Sequence, residues 1–372
     1  MANLGVRDTS HLVMLAGWDA TALKNFDLQN STNYVEVVGQ MNAALGALNA
    51  ELTSGLWGQL CSWTDEPSLE YRQGSSNGFE VHTEYGRPDA KRADTTGHML
   101  PLLSYDRILG WTWDYLRKAR PSQLDADIAD AIKDARDIYR QKILARLLQR
   151  GDDSGAAKGL GTAGESPGFA TAAASTGVDF TPPTFGGTSF DSDHEHYVGT
   201  AGGAFTNAIF EDAKSELREH GHEPPYEFLI GPSDESSVRD LTDFTAVSSD
   251  LVAMGITQDR ALLDNGADAV GSYAIGAISD FAVKVVRGIP QYYGFGFKSY
   301  GQGSQRNPLK IRVEKGRSVP AVTAMVNPLA GSGRHPIQDL MLFVEFGVGV
   351  ADRTNGTAQY NNNATWADGT VT

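Results

Sequence analysis

Apolar residues run along residues 340–353, LMLFVEFGVGVADR, as a strand covered on both faces. Leu340, Leu342, Val344, Phe346, Val348 and Val350 share one face, and Met341 and Phe343 give the other apolar cover. Such a strand lies in the middle of a fold or against a neighbouring chain. The residues after it are mostly Thr, Asn, Gly and Asp, with a single Tyr360 and Trp366, and are expected to add almost nothing to a core.

Three segments carry helical spacing. In Tyr34–Leu52 the apolar positions Val35, Val38, Met41, Leu45, Leu48 and Leu52 step by three and four, an amphipathic helix. Residues 121–151 are the longest, with Leu124, Ile128, Ile132, Ala135, Ile138, Leu144 and Leu148 as the stripe. Asp125, Asp127 and Asp130 lie early and Arg140, Lys142, Arg146 and Arg150 late, in the sense the helix dipole favours, and Gly151 is the stop. At 1.5 Å per residue this spine would be about 45 Å long. Residues 203–221 form a further helix, with Phe205, Ile209, Ala213 and Leu217 inward and Gly221 at its end.

Strand signals fill much of the rest. Leu69 and Tyr71, then Phe79, Val81, Thr83 and Tyr85, alternate with polar residues around the turn cluster 73–78, which predicts a polar-faced β-hairpin. Such a hairpin is marginal alone and must lie on something else. Residues 86–97 after it show no core residue. Tyr226–Ile230 reads as a buried strand, followed by a short helix from Pro232 toward Leu241. Residues 278–286, 309–313 and 321–326 are the clearest later strands. Residues 1–33 read as an extended arm, and 152–204 as a long Gly/Ala/Ser/Thr connection of the kind that is functional, mobile or pinned by partners. The class is α+β.

Composition narrows the function. At 372 residues the prior is about two domains. The net charge of −15, spread along the chain, excludes sequence-reading of nucleic acid, which needs a basic footprint. A single cysteine, Cys61, excludes an internal disulfide framework. No stretch approaches the roughly 20 apolar residues of a membrane span. The sequons at Asn30, Asn355 and Asn363 follow no secretory signal and read as accidental.

Candidate chemistry is sparse. The GxGxxG match at 159–164 follows no buried strand and opens no helix, so it lacks the context of a dinucleotide site. The GxSxG match at 74–78 joins two polar strands and reads as a hairpin tip rather than a nucleophile elbow. His194 and His196, two apart in an extended segment, would face the same side as a metal pair requires, but spacing supplies no third ligand. His220 and His222 form a similar pair at a helix end. Structural histidines are the expected reading, with no catalytic, cofactor-binding or metal residue.

The order of elements is arm and helix, polar hairpin, spine helix, Gly-rich insert, helix plus strand, β-rich section, final buried strand. With 193–198 (DHEHYV), the helix into Gly221 and His222 followed by the strand at Tyr226, and the ending 343–353, this order resembles the HK97-type major capsid proteins of tailed bacteriophages over essentially the whole chain. The resemblance implies an N-terminal arm and helix (1–65), an extended E-loop hairpin (66–100), a P-domain (101–241, with spine 121–151 and insert 152–202), an A-domain (242–335), and a return strand and tail (336–372). It implies pentamers and hexamers closing into a DNA-filled icosahedral shell in the virion, assembled in the host bacterial cytoplasm. A separate scaffold, a portal and decoration proteins are the partners of such shells. Packed DNA would lie near the wall without adhering. Some members crosslink a loop lysine to a neighbour's asparagine; Lys91 is the only lysine between Lys24 and Lys118, and only its position points to it. Two other readings stand beside this one: an encapsulin-like bacterial compartment of the same fold, and a metal-dependent enzyme using His194 and His196.

Overall fold

A computed structural model describes residues 34–72, 95–112, 115, 121–150, 168–169, 182–183, 185–186, 188–190, 194–246, 272–326 and 337–371. The helices are α1 (Tyr34–Leu52), α2 (Gly55–Leu60), α3 (Pro121–Leu148), α4 (Asn207–Glu219) and α5 (Glu235–Arg239). The strands begin with β1 (Cys61–Thr64), β2 (Ser68–Arg72), β3 (Thr95–Met99), β4 (Leu103–Thr112), β5 (Tyr197–Gly199), β6 (Tyr226–Ile230) and β7 (Thr245–Ala246). They continue with β8 (Ser272–Ile278), β9 (Phe281–Val286), β10 (Tyr293–Phe297), β11 (Leu309–Val313), β12 (Val322–Val326), β13 (Ile337–Val350) and β14 (Thr357–Tyr360). This is an α+β fold in two compact units.

The first unit takes residues 1–52, 103–139 and 320–345. In it β12 pairs antiparallel with β13, from Val322 opposite Val344 to Val326 opposite Leu340, and β4 also pairs with β13. Leu342 and Val344 are buried while Met341, Phe343 and Glu345 are half-buried, so this half of β13 has one covered face. Helix α1 buries Leu45, Leu48 and Leu52. Its Asn49 side chain clamps the start of β12, accepting from the Val322 N–H at 2.7 Å and donating to the Val322 carbonyl at 3.1 Å. On α3, Arg136 forks onto the Glu51 carboxylate with two bonds of 3.1 Å. Bidentate geometry of this kind is the stronger form of a charge-assisted bond.

The second unit takes 53–102, 140–319 and 346–372. Its core is a seven-stranded sheet in the order β5-β14-β10-β6-β9-β8-β7. Helix α4 lays Ile209, Phe210, Ala213 and Leu217 against Phe228, Phe281, Val283 and Val285, all buried. Ile209, Ala213 and Leu217 are the stripe expected from spacing, Phe210 joins it and Phe205 precedes the helix; Gly221 beyond it has φ +81, a left-handed turn that favours glycine. Elsewhere in the unit β1 runs parallel to β11, and β11 pairs antiparallel with the end of β13, Leu309 opposite Val350. There Phe346–Val350 is buried at every residue, whereas Met341 and Phe343, expected from sequence to cover the second face, are only half-buried.

Gly347 is required at this crossing. A Cβ there would lie 1.9 Å from the Pro101 carbonyl oxygen, a backbone atom. Gly347→Ala is expected to destabilise the subunit by the cost of overpacking, about 1–3 kcal/mol, read as a lower melting temperature. A variant that melts with the parent would show that segment 101–102 does not lie against β13.

Four expectations need correction. Residues 95–97 show no strand signal in the sequence, yet β3 begins there and pairs with β2, from Ser68 opposite Met99 to Arg72 opposite Thr95; the run 79–85 lies outside the described residues. Threonines at 95 and 96 suit a pleated strand without any apolar signal. Segment 278–286 is not one strand but the tip of a hairpin and its second arm. Ile278 opposes Phe281, and Ser279 and Asp280 turn between them with φ of 48° and 71°. Both residues left-handed is the turn that matches strand twist. Helix α3 ends at Leu148 rather than 151, and α4 begins at Asn207 rather than 203. Finally, the polar tail is core: β14 lies inside the sheet between β5 and β10, with Asn355, Thr357, Gln359 and Asn361 all buried.

Candidate functional site

Two histidine pairs were expected separately; one composite cluster is found. The extended segment entering β5 points the rings of His194 and His196 the same way. Helix α4 ends on Glu219, and its C-cap residue His220 turns back toward them. The three Nε2 atoms form a triangle with every edge 2.9 Å. Glu219 Oε1 lies 3.3 Å from His194 Nε2 and 3.8 Å from His220 Nε2. Among the described residues these four form the one group of His, Cys, Asp or Glu side chains placed to share an ion.

The surroundings fix each donor. His196 is fully buried, and its Nδ1 donates to the Gly356 carbonyl at 2.7 Å, leaving Nε2 as a lone pair toward the triangle. Burial first, and the neighbouring His194 second, push its imidazole down to about 3, so the ring stays neutral. Burial, with the other imidazoles, pushes His220 down to about 2. Burial raises the Glu219 carboxyl above its ordinary range. The Phe190 ring closes one side, 4.8 Å from the His194 ring and 4.3 Å from that of His220. The His194 and Glu219 side chains remain partly open to solvent, at 19% and 33%.

His222 is not part of the cluster. Its Nδ1 sits 2.8 Å from the Tyr300 hydroxyl and its Nε2 3.1 Å from Thr354 Oγ1. Spacing had paired it with His220, but the left-handed Gly221 between them sends the two rings apart. Sequence reasoning missed Glu219 and His220 as partners because they lie more than twenty residues from His194, with no motif linking them. The matches at 159–164 and 74–78, Lys91, and residues 1–33 lie outside the described residues.

A second buried polar network surrounds Asn355. Its side-chain amide donates to the Lys298 and Arg306 carbonyls, each at 2.9 Å, and accepts from the Lys298 N–H at 2.8 Å. Thr357 donates to Glu216, whose carboxyl burial pushes up to about 8.

No protein-family model matches the chain, and no curated protein matches it. Solved structures do. A chain of Mycobacterium phage Patience is 19% identical with a TM-score of 0.61, over 92% of each chain. A chain of the mature capsid of bacteriophage PhiM1 is 10% identical with a TM-score of 0.50, over 84% of this chain and 88% of that one. The SrpI encapsulin of Synechococcus elongatus PCC 7942 is 13% identical with a TM-score of 0.44, over 97% and 98%. On the first of these likenesses, the chain has the HK97-type capsid fold.

Proposed function

We propose that this chain is the major capsid protein of a tailed phage, a structural subunit that assembles as pentamers and hexamers into an icosahedral shell around double-stranded DNA. The observation that carries the reading is the fold likeness at a TM-score of 0.61 over 92% of both chains. In this reading β2 and β3 are the stem of the E-loop, with residues 73–94 reaching a neighbouring subunit. Helix α3 is the spine of the P-domain. The A-domain of this reading, from about residue 242, contributes β8–β10 to a sheet that also takes in β5, β6 and β14. Repeated heterologous contacts around closed rings supply the partners that an exposed two-stranded arm needs. The net charge of −15 keeps packed DNA from adhering to the wall. Scaffold, portal and decoration proteins are separate chains in this account.

The enzyme reading has no observation in its favour: the histidine cluster offers protein donors for a whole coordination sphere rather than an open position. Sedimentation velocity of the purified full-length chain tests the proposal. Closed shells sediment far faster than a 39.9 kDa monomer, whereas a single monomer boundary over a wide concentration range contradicts the assembly claim.

A further inference from the structure

We propose that His194, His196, His220 and Glu219 bind one divalent transition-metal ion, zinc foremost, as a structural staple between the start of β5 and the end of α4. A neutral imidazole nitrogen carries either a proton or a lone pair. Three nitrogens in mutual contact cannot alternate, so at least two like ends must meet across a 2.9 Å edge. No assignment of protons satisfies the triangle; an ion that all three lone pairs face does.

The geometry suits that ion. A point about 2.0–2.1 Å from each Nε2, the usual zinc–nitrogen distance, lies about 1.2 Å above the triangle's plane. Ideal tetrahedral angles would place the nitrogens about 3.3 Å apart, so the rings open by about 0.4 Å on binding. Glu219 Oε1, 3.3 Å from His194 Nε2, is placed as the fourth donor. Three imidazoles with one carboxylate are a borderline set that suits zinc over calcium or magnesium, which prefer oxygen. The Gly356 carbonyl that receives His196 Nδ1–H supplies the outer-shell contact by which proteins orient a ligating ring. The partly open side at His194 and Glu219 is the path of entry. All four positions are protein donors, which makes the ion structural rather than catalytic.

The staple would join the chain leaving residues 152–193 to the sheet core, a connection otherwise made near this point by β5 against β14. Its test does not depend on shell formation. The full-length chain is stripped with a chelator, dialysed, and titrated with zinc chloride. One equivalent per chain should bind with a dissociation constant below about 1 μM, and the melting temperature should rise by several degrees, since the ion binds the folded form. Cobalt(II) in place of zinc should give the intense visible bands of four-coordinate cobalt. His194→Ala, at the partly exposed corner, should weaken binding at least ~100-fold and Glu219→Gln at least ~10-fold, since losing even an outer-shell partner costs about 10–100-fold. Both variants should melt with the metal-free parent, which shows them folded. Absence of saturable binding in the parent, or His194→Ala binding zinc as the parent does, would overturn the proposal.

Discussion

Subunits in which residues 73–94 are replaced by a two-residue Asn-Gly turn are expected to stay folded and to lose shell assembly altogether. The turn type suits a tight hairpin and would close the stem directly from Arg72 to Thr95, which already face each other. The stem is a two-stranded sheet of its own, tied back by the Leu100 N–H donating to the Pro67 carbonyl at 2.8 Å. The segment removed has polar residues along one side of its alternation, from Glu80 to Glu84, and so carries little of a monomer core. Circular dichroism and the melting temperature of the variant should match those of the unassembled parent. Electron microscopy should find no closed particles. Normal shells from this variant would mean that the hairpin is not an intersubunit arm.

Asn355→Ala is expected to destabilise the subunit by about 3 kcal/mol or more. The side chain is fully buried and satisfies three backbone groups: the Lys298 N–H, the Lys298 carbonyl and the Arg306 carbonyl. Each buried group left without a partner costs about 1–3 kcal/mol, and alanine supplies none. Against a domain stability of roughly 5–15 kcal/mol this is a large fraction. Urea denaturation of the unassembled subunit reads it directly. A loss below about 1 kcal/mol would show that water or a local shift replaces the amide, which the enclosed position of Asn355 argues against.

That second prediction marks where sequence reading stopped. Periodicity reports apolar cover, and it placed α1, α3, α4, β6 and the buried face of β13 because those elements are held by Leu, Ile, Val and Phe. It is blind to burial secured by hydrogen bonds. Thr357 and Gln359 look like a solvated tail, yet their strand is interior to the sheet and their side chains find partners there, as Gln359 does by donating to Thr357 Oγ1 at 2.9 Å. The turn at Ser279 and Asp280 escaped because neither residue is the glycine that usually marks a left-handed turn.

The histidine cluster was half legible. Alternation on an extended segment puts His194 and His196 on one side, which needs only local geometry. Bringing Glu219 and His220 to meet them depends on where α4 ends relative to β5, a long-range fact fixed by the packing of Phe210 and Leu217 onto the sheet. The strand at Thr95–Met99 was not read from sequence because threonine, glycine and histidine there carry no apolar alternation.

The account stands or falls on assembly, and negative-stain electron microscopy of the purified full-length protein tests it most directly. Polyhedral particles of uniform diameter, or rings of five and six subunits, are the predicted result. A homogeneous field of compact single subunits, unchanged on concentration, would contradict it.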